Sequence, residues 1–240
     1  MKLVVAGSTG FVATEIIAQA LSHPAITSVI ALGRRSPPTP HHLGPSASNL
    51  KFVLLSDFDQ EYPDDVKREL AGADAVIWTI EVSAPQSKST PSEEILKVCR
   101  DFPIRALRTI AKVPRPGTQQ PTRFLYLSSH MAKQDPNNKP LVPGEYARLR
   151  GESETGILEA GKQTNAAVHV AITKPGLIVG PDHLLLTLQP GILGLAGVPS
   201  IRLSEVAAAL LDQVVSGFDK DTLVNEDLVR IGQAALAAQK

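Results

Sequence analysis

The chain has 240 residues, 43% of them hydrophobic, enough to bury a sizeable core. Its 24 basic and 24 acidic residues cancel to a formal net charge of zero, which argues against a nucleic-acid binder or a polybasic membrane docker. The single cysteine, Cys99, excludes an internal disulfide and a multi-cysteine metal cluster, and no apolar run is long enough for a signal segment or a membrane span, so a soluble cytoplasmic protein is expected.

In chain order, Leu3–Ala6 predicts a first short strand. Gly7-Ser8-Thr9-Gly10-Phe11-Val12-Ala13 then turns into a helix, where Val12, Ile16, Ala20 and Ala13, Ile17, Leu21 form two adjacent i, i+4 rows. Further strands are predicted at Val29–Leu32, Lys51–Leu55, Ala75–Ile80, Arg123–Leu127 and Val168–Thr173. All are rich in Val, Ile and Leu, as a parallel sheet covered on both faces requires. Ile95, Val98, Phe102 and Leu107 suggest a helix that Pro103 must break or kink, and Glu145–Gly161 predicts another. Ser204 and Asn225 are expected to cap two late helices, with Glu205, then Glu226 and Asp227, in their first turns.

This alternation implies right-handed βαβ units and an α/β, Rossmann-type doubly wound parallel sheet. Residues 1–240 are expected to form a single domain with a small C-terminal elaboration on the substrate side. Three proline-rich loops stand out, Ser36–Asn49, Val113–Thr122 and Asp135–Gly144. The first and third leave the carboxyl ends of strands, where open α/β sheets bind ligands.

The segment Gly7–Ala13 has the context of a dinucleotide fingerprint, after a strand and opening a helix. Gly7 allows the tight turn, Gly10 lets a diphosphate approach the backbone, and Ala13 permits close helix–sheet packing. The helix N-terminus offers free amides to the phosphates. A turn without ligand is the alternative. After the second strand, Arg34 and Arg35 stand where NAD-preferring sites carry an acid. They suit a 2′-phosphate, which favours NADP(H); a solvated basic loop is the alternative.

The fifth strand ends in Ser128-Ser129-His130, and the Glu145–Gly161 helix carries Tyr146 and Arg150 at i, i+4. A tyrosine serves as acid/base if a neighbouring cation lowers its pKa. A unit charge about 4 Å away contributes at most ~4 kcal/mol at an effective dielectric near 20, and desolvation opposes it. Ser129 could polarise a substrate carbonyl. A structural tyrosine stacked over an arginine is the alternative.

On Gly7–Ala13, Asp57-Phe58, Ser128-Ser129, Tyr146 through Arg150 with Gly151-Glu152, and Lys174-Pro175-Gly176-Leu177-Ile178, the chain resembles the short-chain dehydrogenase/reductase superfamily over nearly its whole length. It is similar to the atypical branch that includes the Tat-interacting oxidoreductase-like (NAD(P)-binding, NmrA-like) proteins. The resemblance implies a Rossmann fold and bound NADP(H), held by Gly7, Ser8, Thr9, Gly10, Phe11, Val12, Arg34 and Arg35. It implies Asp57 and Phe58 beside the adenine, Ile80 and Glu81 near the nicotinamide ribose, and Pro175, Gly176 and Ile178 near the nicotinamide. It implies Ser129, Tyr146 and Arg150 in the catalytic positions.

Two residues depart from the family pattern. Arg150 stands where a lysine is expected; it keeps the charge but cannot deprotonate. Glu81 stands where relatives carry a small residue; it could bond ribose hydroxyls, act as acid/base or face solvent. His130 is either a pocket residue or a loop histidine without a role. His41-His42 have no acidic or cysteine partner nearby, so no metal site is expected. Cys99 is expected to be an inert helix residue. The apolar, Pro- and Gly-broken stretch within 180–203 suggests a lid or substrate wall, with core packing or a homodimer contact as alternatives.

The expected function is an NADPH-dependent oxidoreductase acting on a small, fairly apolar carbonyl or enone through Ser129, Tyr146 and Arg150. The alternatives are a non-redox isomerase, cyclase or dehydratase on the same scaffold, and a non-enzymatic NADP(H)-sensing interaction protein.

Overall fold

The computed structural model describes residues 1–35, 48–117, 120–132, 144–180 and 198–238. Seven parallel strands form one sheet. In chain order they are β1 (Lys2–Ala6), β2 (Ser28–Gly33), β3 (Leu50–Leu54), β4 (Ala75–Trp78), β5 (Thr122–Leu127), β6 (Val168–Lys174) and β9 (Thr222–Val224). In space they run β3-β2-β1-β4-β5-β6-β9, so the strand order reverses between β1 and β4. A separate two-stranded parallel ribbon pairs β7 (Leu177–Val179) with β8 (Ser200–Arg202).

The inner strands β1, β2 and β4 are apolar on both faces because helices cover both, whereas the edge strand β3 exposes Lys51 and Leu54. Alternate residues Leu3, Val5, Val29, Ala31, Ile77 and Leu125 face a core shared with α1 (Phe11–Ser22) and α7 (Leu203–Ser216). The α8 helix (Asn225–Ala238) closes that layer. The intervening residues Val4, Ala6, Ile30, Val76, Trp78 and Phe124 face α2 (Asp64–Leu70), α5 (Phe102–Ile110) and α6 (Gly144–Lys162). On α1 the buried positions are Ala13, Ile16, Ile17, Ala20 and Leu21. This matches the predicted rows except Val12, which is half-buried.

One expectation is narrowed and two are corrected. First, of the break or kink expected at Pro103, there is no break. The α4 helix (Ser92–Leu96) runs through a π turn at Lys97–Asp101 into α5, with Pro103 in the first turn of α5. The wider turn accommodates a ring that has no N–H to offer the carbonyl of Cys99 four residues back. Second, α7 is capped at Arg202, not Ser204, because the Glu205 carboxylate reaches back to accept from the Arg202 N–H at 3.1 Å. Third, Asn225 opens α8, yet its side chain is spent on tertiary contacts described below, and Asp227 accepts the Val224 N–H at 3.1 Å instead. The seventh strand, the β7–β8 ribbon and the short helix α3 (Ala84–Ser87) were not foreseen.

The α7 and α8 helices cross with backbone in near contact. A Cβ on Gly232 would lie 2.1 Å from the carbonyl oxygen of Glu205. Gly232→Ala should therefore destabilise the fold by about 2 kcal/mol despite its better helix propensity, measured by urea unfolding.

Candidate active site

The carboxyl ends of β1, β4, β5 and β6 lie side by side where the strand order reverses, the place at which an open α/β sheet leaves a crevice. The glycine turn follows β1, at that reversal. Gly7 has φ +91°, a conformation glycine adopts without a Cβ penalty, and its N–H donates to Leu32 O at 2.9 Å. A Cβ there would meet Thr79 Oγ1 at 2.5 Å and Ile80 Cγ1 at 3.1 Å, so the turn lies directly against the exit of β4. Gly10 N donates to Gly7 O at 2.8 Å and precedes α1, which has no side-chain cap. The first-turn amides of α1 are therefore left for an anion.

Ser8 is 1% exposed and its Oγ has no hydrogen-bond partner; it packs where a Cβ on Gly33 would come within 2.6 Å. Thr9 and Gly10 are exposed, and Phe11 and Val12 are half-buried. Arg34 and Arg35 project, exposed, from the end of β2 beside this turn. A glycine cradle, an uncapped helix start, a buried hydroxyl without a partner and two exposed cations fit a dinucleotide phosphate group.

Arg150, on α6, is wholly buried. Its Nη1 donates to Tyr126 Oη at 2.8 Å, its Nη2 donates to Leu127 O at 3.3 Å, and Nη2 also lies 2.9 Å from Glu81 Oε2. Its Nε is buried without an acceptor. The tyrosine whose ring the guanidinium faces is Tyr126, 5.5 Å to the centroid, rather than Tyr146. Tyr126 Oη in turn donates to Cys99 O at 2.9 Å, the carbonyl that Pro103 cannot serve. Val82 N–H also donates to the buried Cys99 Sγ at 3.4 Å.

Glu81 is the outer end of this chain of contacts, with 32% of its side chain open. Desolvation pushes its carboxyl above the ordinary carboxylate value, and Arg150 pulls it back part of the way. Burial likewise raises the Tyr126 phenol, opposed by Arg150.

Tyr146 is 6% exposed and its Oη donates to Val82 O at 2.8 Å. Desolvation raises its pKa above the ordinary phenol value, and the opposing pull of Arg150 is the smaller effect. The sequence expectation of a cation-lowered phenol thus meets the opposite balance. A groove of about 660 Å³ runs beside the ring, lined by Ala84, Pro85, Ile95, Tyr146 and Leu149 among others.

Ser129 is half-buried, and its Oγ accepts the Met131 N–H at 3.2 Å. Its neighbour Ser128 is buried and donates to Glu154 Oε1 at 2.5 Å. Glu154 is fully buried, and its other oxygen meets Lys174 Nζ at 2.8 Å. Lys174 Nζ also donates to Ala132 O at 3.0 Å. Its chain neighbours complete the wall: His130 N–H donates to Pro175 O at 2.8 Å, and Gly176 N–H donates to Asn225 Oδ1 at 2.8 Å. A Cβ on Gly176 would fall 2.0 Å from Pro199 O, so β7 and β8 enter here with no room to spare. Ile178 lies half-buried in that ribbon.

Sequence reasoning missed Lys174, Glu154, Tyr126 and Asn225 as site-building residues. A charged residue at the end of an apolar strand, as Lys174 is, was the available signal. Asp57 is exposed after β3, and its Oδ1 accepts the Asp59 N–H at 2.8 Å. Phe58 is 2% exposed and packs edge-on against Trp78, 5.6 Å between centroids, so only its backbone can serve the surface. His41, His42 and residues 181–197 of the expected lid lie outside the described residues. Among the described residues there is no cluster of His, Cys, Asp or Glu able to hold a metal, and no helix long and apolar enough to cross a membrane.

Residues 3–182 match the model of the NAD dependent epimerase/dehydratase family. The chain belongs to this family. A relative 26% identical over 180 residues is Protein FMP52, mitochondrial, of Candida albicans, the alignment covering 75% of this chain and 68% of that protein. Among solved structures, the dTDP-glucose 4,6-dehydratase DesIV from Streptomyces venezuelae, with NAD and TYD bound, superposes with TM-score 0.67 at 18% identity. The match covers 99% of this chain and 81% of that one. Vestitone reductase from alfalfa (Medicago sativa) superposes with TM-score 0.66 at 20% identity, over 93% of this chain and 75% of that one. The resemblance to short-chain dehydrogenases/reductases and the doubly wound fold expected from the sequence are both borne out.

The Glu154–Lys174 pair is buried beneath the Ser128–Ala132 segment, with side chains 0% and 13% exposed. Lys174→Met leaves the Glu154 carboxylate without that cation and should cost about 3 kcal/mol by denaturant unfolding. The double variant Lys174→Met with Glu154→Leu should recover most of that loss.

Proposed function

We propose that the protein is an NADPH-dependent reductase of a small, fairly apolar carbonyl or enone compound. The observation that carries the reading is the glycine turn: a φ of +91° at Gly7, an uncapped α1 and a buried Ser8 hydroxyl without a partner. The amides of Phe11 and Val12 and the backbone of Ser8, Thr9 and Gly10 take the diphosphate. Arg34 and Arg35 take the 2′-phosphate through charge-assisted bonds. Asp57 and the backbone of Phe58 flank the adenine, while Ile80, Pro175, Gly176 and Ile178 flank the nicotinamide.

NADPH held by these residues would supply the hydride that the carbonyl carbon accepts. Ser129 Oγ donates to the substrate oxygen and polarises it. Tyr146 keeps its proton because burial raises its pKa. It is therefore suited to give a proton to the developing alkoxide rather than to take one from an alcohol, which favours the reductive direction. The substrate oxygen replaces Val82 O as acceptor of that proton. The product is the alcohol, and Tyr146 regains a proton from water. Ala84, Pro85, Ile95 and Leu149 suit an apolar substrate body.

A second reading, tight NADP(H) binding without turnover, is favoured by the prior engagement of both site residues: Tyr146 with Val82 O, and Arg150 with Tyr126 and Glu81. Absorbance at 340 nm separates the two. Stoichiometric NADPH oxidation across a carbonyl panel supports the reductase, and binding without oxidation supports the sensor.

Tyr146→Phe should abolish carbonyl-dependent NADPH oxidation while NADPH affinity by calorimetry stays within about threefold. The reductive rate should show no falling limb from tyrosine ionisation up to about pH 10, because the phenol stays protonated. Replacing both Arg34 and Arg35 by alanine should weaken NADPH binding about 100-fold and leave NADH nearly unchanged.

A further inference from the structure

A dinucleotide seated on a β1 glycine turn places its two halves on either side of the point where strand order reverses. Here β2 and β3 lie to one side, and β4, β5 and β6 to the other. The two arginines at the end of β2 claim the adenosine half. The second ribose then passes over the exit of β4, which the turn already touches: a Cβ on Gly7 would meet Thr79 and Ile80. Glu81 is the next residue along that exit.

Arg150, the cation that α6 places nearest to Glu81, is not free to hold that ribose. It is 0% exposed, and both of its Nη groups are engaged, by Tyr126, Leu127 O and Glu81. Its planar fork fixes Glu81 Oε2 at 2.9 Å. The Glu81 side chain remains 32% open, and among the described residues Arg150 is the one hydrogen-bonding or ion-pair partner of its carboxylate. A carboxylate accepts from vicinal hydroxyls, as the acidic residue of NAD sites does on the adenosine ribose. The buried charge of Arg150 offsets its repulsion of the diphosphate.

We infer that Glu81 is the acceptor for the hydroxyls of the nicotinamide ribose, and that Arg150 is its positioning residue rather than a group that touches the coenzyme. The inference rests on the coenzyme reading above. It makes Glu81 and Arg150 one unit, an acceptor-for-donor exchange at the second ribose.

Calorimetry with two ligands tests it. NADP+ carries both riboses, whereas 2′,5′-ADP carries only the adenosine half. Glu81→Gln keeps the shape and a hydrogen bond to Arg150 but loses the charge. It should bind NADP+ about tenfold more weakly and 2′,5′-ADP as the parent does. Glu81→Ala should lose about 100-fold for NADP+ and again nothing for 2′,5′-ADP, while Glu81→Asp should recover part of the loss. Unchanged NADP+ affinity in the Gln and Ala variants overturns the inference and leaves the coenzyme reading intact. Equal losses for both ligands overturn it too, since Glu81 then acts through the fold. If the parent binds neither ligand, the coenzyme reading falls and takes this inference with it.

Discussion

A guanidinium with no exposure to water is the constraint around which the crevice is arranged. Arg150 cannot shed its proton at any working pH, so its burial must be balanced by acceptors and by a negative charge. Tyr126 Oη and Leu127 O supply acceptors from β5, and Glu81 supplies the charge from beyond β4. Tyr126 can accept from Arg150 because its own proton goes to Cys99 O. That carbonyl faces it because Pro103, four residues on, has no N–H to give and the helix widens to a π turn. A proline in one helix, a strand-end tyrosine and an arginine in another helix thus share one set of bonds. The open end of that set is a carboxylate at the crevice.

A second buried pair works in parallel on the other wall. Lys174 and Glu154 tie the end of β6 to α6, and further bonds from the pair reach Ala132 and Ser128. The Ser128–Ala132 segment is therefore held from beneath, which fixes where Ser129 can present its hydroxyl. Asn225 does the same for Gly176, so that α8, remote in sequence, sets the position of the turn after β6. Against these fixed walls the glycine turn is the part built for close approach, since its backbone has no Cβ between it and a ligand.

Tyr146 shows how the same surroundings produce an outcome opposite to the one charge alone predicts. An arginine one helical turn away lowers a phenol pKa, but the low dielectric that surrounds both groups raises it by more. The phenol remains a proton donor, held by the Val82 carbonyl. Glu81 obeys the same balance: desolvation weakens its hold on the ionised state, and Arg150 partly restores it.

Much of the architecture was legible in the residues themselves. Valine- and isoleucine-rich runs of four to seven residues are strands, buried on both faces at the centre of the sheet but not in the edge strand β3, and the period of Ile16, Ala20 and Ala13, Ile17 is that of a helix packed on them; both are local signals. Gly7 and Gly10 were legible for the same reason, because a tight turn before a helix is a property of adjacent residues. The partners of Arg150 were not. Its i, i+4 spacing from Tyr146 named the nearest tyrosine in sequence, whereas its bonds go to Tyr126 and Glu81, 24 residues and more away. Ser204 and Asn225 had the right chemistry for helix caps, yet Glu205 and the Gly176 amide outcompeted that role through contacts no local pattern contains. Periodicity and turn chemistry determine which elements form and how they stack. Which buried charge meets which acceptor is decided only when non-adjacent strand ends are brought together, because desolvation makes every charge there choose a partner by proximity in space.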